Sequence, residues 1–124
     1  MIIDTRVRPP GSFLVIAGDI HAPMPEFDDQ EARLWSNEWC IGIGTLSEVD
    51  GETDLTVTDQ PGEESIPLVF DGVIAAPERH ITVSDAYLLE SANVRITGKK
   101  ARVRIWANHP REPDRIVIAV TAEG

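Results

Sequence analysis

The chain has 124 residues, the size of one domain, and its 42% hydrophobic and 26% charged residues exclude an intrinsically disordered protein. No apolar run approaches the roughly 20 residues of a membrane-spanning helix. The single cysteine, Cys40, excludes an internal disulfide and a zinc site built from several thiolates. Residues 1–6 do not read as a secretory leader, and a single cysteine fits a reducing compartment, so we expect a cytoplasmic protein. The length predicts one domain over residues 1–124.

The net charge is −10, from 21 acidic residues against 11 lysines and arginines. Such a protein repels nucleic-acid phosphates and anionic membranes, so we expect a basic protein partner, with no direct nucleic-acid binding and no membrane binding. Residues 1–78 hold 16 acids and 3 bases, whereas residues 79–124 hold 5 acids and 8 bases. If the fold keeps these parts separate, an acidic face lies opposite a mixed face, and two copies could pair through them as a homodimer.

Alternation between apolar and polar residues predicts about eight β-strands, spaced roughly 8–12 residues apart. In chain order they lie near residues 13–21, 39–46, 53–59, 66–76, 80–84, 94–96, 102–106 and 116–121. The third segment places Leu55 and Val57 inward. Asp50-Gly51 is a tight-turn signal that predicts a hairpin between the second and third strands, and Asp71-Gly72 predicts a bulge or bend in the fourth.

One segment predicts a short helix near residues 28–36. Asp28 can cap this helix and Glu31 completes a capping box, with Leu34 and Trp35 packing inward. All other regular segments are strands. The predicted fold is therefore all-β, a single-domain antiparallel β-sandwich of about eight strands with that one helix.

Asp19-Ile20-His21, at the end of the first predicted strand, resembles the metal-binding opening of the calcineurin-like metallophosphoesterases. Asn108-His109 resembles a second element of that family, but its Gly-Asp-x-x-Asp motif is missing between them. A hydrolase that uses Asp19 and His21 is therefore kept only as the weakest alternative. We expect a protein that is not an enzyme and that has no catalytic residues, no metal and no cofactor.

Acidic residues are dense around Gly51. An EF-hand is excluded, because aligning Gly51 with its glycine puts Leu46 and Val57 where the first and last calcium ligands belong. A looser site between sandwich loops keeps a calcium-binding or small-ligand module as an alternative. The main prediction is an acidic partner-binding surface formed by Glu48, Asp50, Glu52, Asp54, Asp59, Glu63 and Glu64.

A basic stretch lies later in the chain, formed by Arg95, Lys99, Lys100, Arg102 and Arg104. Its alternation with apolar residues predicts the solvated face of edge strands in a hairpin. Trp106 falls on the same face, and an exposed tryptophan beside arginines is typical of a contact surface, so Trp106 joins the predicted partner-binding residues. A second sheet covering that face would explain Trp106 equally well. Cys40 is predicted to be an inert interior thiol.

The segment from Trp35 to Glu48, which contains Thr45-Leu46-Ser47-Glu48, resembles in layout the competence protein J family, small acidic inhibitors of a DNA-entry nuclease. The resemblance extends to the early strand 13–21, to the short strand 55–59, and to 81–105 with Gly98 at the turn. It implies an all-β, non-enzymatic inhibitor or immunity protein that occludes a basic nuclease. A self-associating subunit of a phage or secretion assembly is a further alternative.

Overall fold

The computed structural model describes residues 2–19, 21, 23–24, 33–47, 49–60, 65–85, 87 and 89–123. Within these residues ten β-strands form two five-stranded sheets. The strands are β1 (Ile2–Val7), β2 (Phe13–Ala17), β3 (Leu34–Ser36), β4 (Cys40–Gly44), β5 (Thr53–Thr58), β6 (Leu68–Ala75), β7 (His80–Asp85), β8 (Glu90–Arg95), β9 (Lys100–Ala107) and β10 (Arg115–Ala122). The order is β1-β5-β10-β9-β6 in the first sheet and β3-β4-β2-β7-β8 in the second.

The two sheets form a β-sandwich, which confirms the predicted all-β class. Alternate residues of each strand face inward, because side chains in an extended chain point to opposite faces in turn. Leu55 and Val57 of the first sheet share one buried cluster with Leu14, Ile16 and Ile41 of the second. The described helical structure is one 3-10 turn, Pro10–Ser12, and no helix among the described residues could cross a membrane.

The predicted hairpin at Asp50-Gly51 is wrong. β4 belongs to the second sheet and β5 to the first, so this connection passes from one sheet to the other. The predicted pairing across Gly98 is wrong for the same reason, since β8 and β9 lie in different sheets. A tight-turn signal shows that the chain reverses locally, but the partner of each strand is set by packing against distant strands.

The sandwich is also not wholly antiparallel. β5 and β10 pair in parallel, with Ile118 beside Val57, and the other strand pairs are antiparallel. A parallel pair needs a long crossover, which the chain between β5 and β10 supplies through both sheets. The bulge predicted at Asp71-Gly72 lies two residues earlier, between Leu68 and Phe70.

The predicted helix is wrong where it can be compared. Residues 34–36 form β3, which pairs with β4 through Leu34 opposite Ile43. Residues 28–32 lie outside the described residues. Pairing with a neighbouring strand satisfies the backbone groups of Leu34–Ser36, and this tertiary contact overrides a local capping signal. β1 was not predicted at all, and it pairs with the whole of β5.

The two differently charged parts of the chain are not kept apart. In the first sheet, β1, β5 and β6 come from residues 1–78 and lie on both sides of β9 and β10. The condition for the expected acidic face opposite a mixed face, that the fold keeps these two parts separate, is therefore not met in the first sheet. β9, which carries Arg102 and Arg104, is an internal strand rather than the predicted edge strand.

Candidate partner-binding surface

Three of the predicted acidic residues lie at the end of the sandwich where β5 and β10 begin. Asp50 and Glu52 are exposed in the connection from β4 to β5. Asp54 is exposed near the start of β5, and its Oδ1 accepts a hydrogen bond of 3.1 Å from Nε of Arg6, with which it forms an ion pair. Glu48 lies outside the described residues. Both partners of the Arg6–Asp54 pair are solvent-exposed, so the pair contributes little to stability.

The connection from β9 to β10 brings two further carboxylates to the same end. The amide of Leu46 donates a 2.9 Å hydrogen bond to the carbonyl of Pro113, and the amide of Asp54 donates a 2.7 Å bond to the carbonyl of Asp114. These bonds hold residues 108–114 against the β4–β5 connection. Glu112 and Asp114 are exposed there. We call the resulting surface the acidic end: Asp50, Glu52, Asp54, Glu112 and Asp114.

Side chains within the β9–β10 connection hold its shape. Asn108 Oδ1 accepts hydrogen bonds from the amides of Asp114 (3.2 Å) and Arg115 (3.1 Å), and its Nδ2 donates to Asp114 Oδ1 at 2.6 Å. His109 Nδ1 accepts from the amides of Arg111 (3.1 Å) and Glu112 (3.0 Å). Because these bonds satisfy the loop's own backbone, Glu112 and Asp114 are presented from a defined backbone conformation.

Glu112 and Asp114 were missed as members of the predicted surface because about sixty residues separate them from Asp50. The sequence signal that was present is a polar, proline-containing segment just before a strongly alternating strand. That signal identifies a connection between strands. It does not identify which other connection lies beside it, because this depends on the parallel pairing of β5 with β10.

The remaining predicted acidic residues do not join this end. Asp59 is half-buried just beyond the far end of β5, five residues from Asp54, a separation of about 17 Å in an extended strand. Glu63 and Glu64 lie outside the described residues. The predicted surface is therefore divided, because β5 separates Asp54 from Asp59.

Trp106 is not the exposed contact residue that was expected. It does lie on the outer face of β9, but it is 8% exposed and packs with Val117 and Ala119, against which the half-buried Ile66 also rests. Residues before β6 thus cover part of the first sheet's outer face. The alternative of a second sheet over this face is also wrong, because the covering residue, Ile66, lies in the segment before β6.

The residues that suggested a hydrolase are at opposite ends of the sandwich. Asp19 Oδ1 accepts a 2.8 Å hydrogen bond from the amide of His21, a local turn just after β2 ends. His109 lies at the end where β2 begins, so at least the length of β2, about 15 Å, separates the two elements. Among the described residues, no three His, Cys, Asp or Glu side chains converge into a possible metal site, the acidic end included.

Cys40 lies in a small buried cluster on the outer face of the second sheet, with Val15 and Ala17. Its Sγ lies 3.8 Å from Sδ of Met24, and it is fully buried. Burial raises the pKa of the Cys40 thiol from 9.0 to about 11, because the thiolate loses its hydration. The predicted interior position of Cys40 is confirmed, and its inertness stays a prediction.

Alkylation of Cys40 by iodoacetamide at pH 8 is expected to be at least ~100-fold slower than that of glutathione, since a pKa higher by about two units leaves ~100-fold less thiolate. Burial slows the reaction further. The same chain unfolded in urea serves as the control and should react at the rate of an ordinary thiol. A folded-state alkylation rate within tenfold of that of glutathione would contradict the prediction that Cys40 is inert.

The raised pKa of Cys40 also makes the stability of the fold depend on pH. The contribution of the buried neutral thiol to the free energy of unfolding is complete below about pH 9 and is lost as the pH rises through about 11.

Comparison with known proteins adds one result to this geometry. No family model matches the chain, and no curated protein matches it by sequence. Among solved structures, the crystal structure of ComJ from Bacillus subtilis, an inhibitor of the DNA-degrading activity of NucA, superimposes with a TM-score of 0.70. The superposition covers 99% of both chains at 10% sequence identity. The chain therefore has the ComJ fold over its whole length, as the layout resemblance implied.

Proposed function

We propose that this protein is a non-enzymatic inhibitor that binds a basic nuclease through its acidic end and blocks access of DNA. The observation that carries the proposal is the full-length structural match to ComJ, whose described role is inhibition of a nuclease. The charge of the chain supports it independently. A nuclease binds DNA phosphates in a positively charged groove, and a protein with a net charge of −10 is complementary to such a groove.

The acidic end suits this role because, among the described residues, only Asp54 of its five carboxylates forms an ion pair. The ion pairs among the described residues are Arg6–Asp54 and Arg102–Asp71. Asp50, Glu52 and Glu112 are therefore exposed carboxylates that form no ion pair with another described residue. Lysines and arginines of a partner can pair with them directly, which raises the association rate and the specificity of binding.

The backbone that carries these carboxylates also needs little ordering on binding. The main-chain bonds at Leu46 and Asp54 join the two connections, and Asn108 and His109 hold residues 108–114 in place. A surface that is already shaped loses less conformational entropy when it binds. The acidic end thus presents its carboxylates from two hydrogen-bonded connections, an arrangement that suits a groove lined by cations.

The proposal is tested with a triple variant, Asp50→Lys, Glu52→Lys and Glu112→Lys. The immobilised wild-type chain is expected to capture a basic DNase from a lysate of the source organism at low salt, and to inhibit that DNase in a plasmid-degradation assay. The triple variant should inhibit at least ~100-fold more weakly, because close charge pairs at interfaces contribute several kcal/mol and like charges repel.

The matched control reverses three exposed acids at the other end of the sandwich: Glu38→Lys, Glu78→Lys and Glu123→Lys. It changes the net charge by the same amount and should inhibit within about fivefold of the wild type. Equal loss in both variants would show that net charge alone matters and would remove the acidic end from consideration. Absence of any inhibition by the wild type would refute the proposed function itself.

A further inference from the structure

A cavity opens where the two sheets come together beside the acidic end. Its apolar walls are Leu34 and Ile43 from β3 and β4 of the second sheet, and Val69 and Ala107 from β6 and β9 of the first. Its volume is about 230 Å³. This is below the roughly 300–1,000 Å³ of sites for drug-sized molecules, so the cavity suits a group the size of one side chain.

Arg33 places a cation in this cavity. Its Nε donates a 2.8 Å hydrogen bond to the carbonyl of Arg111, and its Nη2 donates a longer one of 3.4 Å to the carbonyl of Thr45. Both partners are neutral, and no carboxylate of the described residues pairs with Arg33. A guanidinium has five N–H donors, so three of them remain to bind an anion.

Gly44 allows Arg33 to take this position. A Cβ on Gly44 would lie 2.5 Å from Nη2 of Arg33 and 2.6 Å from Nε, so the guanidinium lies directly against the glycine backbone. The φ of Gly44 is not positive, and alanine would therefore not strain the backbone. An alanine there would displace the end of a flexible side chain, which is a mild change for the fold.

His109 adds a second donor to the cavity lining. Its Nδ1 accepts hydrogen bonds from the amides of Arg111 and Glu112, so the proton of the neutral ring is on Nε2. Arg33 and His109 also line an adjoining hollow of about 200 Å³ together with Arg111 and Glu112. The cavity thus opens to solvent beside one further cation and one anion.

We propose that this cavity binds an aliphatic carboxylate, with the carboxylate on Arg33 and a branched apolar chain against the walls formed by Leu34, Ile43, Val69 and Ala107. An apolar pocket with a few convergent polar groups is the usual form of a small-ligand site. An arginine that has no acidic partner among the described residues favours a carboxylate as its ligand. The C-terminal leucine of a protein chain and a free short-chain fatty acid share this chemistry. The site does not depend on the proposed inhibition of a nuclease.

The test titrates the 15N-labelled protein with 4-methylpentanoate and follows the Arg33 Nε–H signal by NMR. We expect a saturable shift with a dissociation constant on the order of 1 mM, as for a ligand of about eight non-hydrogen atoms. The isosteric 4-methylpentanamide and inorganic phosphate should each bind at least ~10-fold more weakly. Binding of the amide or of phosphate as tightly as 4-methylpentanoate would overturn the proposal. So would a titration with 4-methylpentanoate that shows no saturation by about 50 mM, roughly 50 times the expected dissociation constant.

Two variants localise the site, and a third controls for charge. Arg33→Gln, followed through the amide signals of Ile43 and Ala107, should weaken binding of 4-methylpentanoate at least ~10-fold, as should Gly44→Ala, which keeps the arginine but moves it. Arg95→Gln removes the same charge from an exposed position at the opposite end and should bind normally. Unchanged binding by both Arg33→Gln and folded Gly44→Ala would overturn the assignment.

A comparison of two ligands identifies the source of the carboxylate. Tighter binding of N-acetyl-leucine than of 4-methylpentanoate would identify the C-terminus of a protein chain, and the reverse order would identify a free acid.

Discussion

Substitution of Ile118 by alanine is expected to lower the free energy of unfolding by about 3–4 kcal/mol, because it removes buried methylene groups and leaves a cavity. Ile118 is fully buried on β10, the central strand of the first sheet. It lies beside Val57 on one side and Ile105 on the other, and both are fully buried as well. Urea denaturation followed by tryptophan fluorescence measures the change, at an unchanged m-value.

The matched control for Ile118→Ala is Ile2→Ala on the edge strand β1. Ile2 is 66% exposed, so the same truncation there should change the free energy of unfolding by less than about 0.5 kcal/mol. A loss below about 1 kcal/mol for Ile118→Ala would mean that the core collapses around the missing atoms. That result would be incompatible with β10 as a tightly packed centre of the sandwich.

The second large effect is expected at Gly18, where the backbones of the two sheets approach closely. A Cβ on Gly18 would lie 2.5 Å from the carbonyl oxygen of Ala75 and 2.7 Å from Cα of Ala76. Both are backbone atoms at the end of β6, which cannot move aside as a flexible side chain can. Gly18→Ala should therefore destabilise the protein by about 2–3 kcal/mol, as overpacking does in a tight core. Thermal and urea unfolding both report it.

Gly98→Ala is the matched control, since a Cβ at Gly98 would meet nothing nearer than 3.8 Å. It should be neutral or slightly stabilising, because alanine reduces the conformational freedom of the unfolded chain. If Gly18→Ala lowered the free energy of unfolding no more than Gly98→Ala does, the backbone of Gly18 could not lie as close to Ala75 and Ala76 as the structure places it.

Strands were predictable wherever one face of the strand is buried and the alternation is local. Leu55 and Val57 face inward as predicted, and the segments near residues 80–84 and 116–121 became β7 and β10 with small changes at their ends. This succeeds because a period of two residues follows from the geometry of a single extended chain. β1 and β3 were not predicted as strands. They are half-buried edge strands, and each is extended because it pairs with one neighbour, β1 with β5 and β3 with β4.

The sequence by itself determined the all-β class, the interior position of Cys40 and the acidic character of the chain, since these follow from local alternation and composition. Only the tertiary structure decided which strands pair, because the choice between a hairpin and a crossover at Asp50-Gly51 depends on burial against remote strands. The acidic end shows the consequence. Its carboxylates can be read from the sequence, but Asp114 lies beside Asp54 only because β10 pairs in parallel with β5. Contacts between residues far apart in the chain are set by the packing of the whole sandwich, which no local pattern encodes.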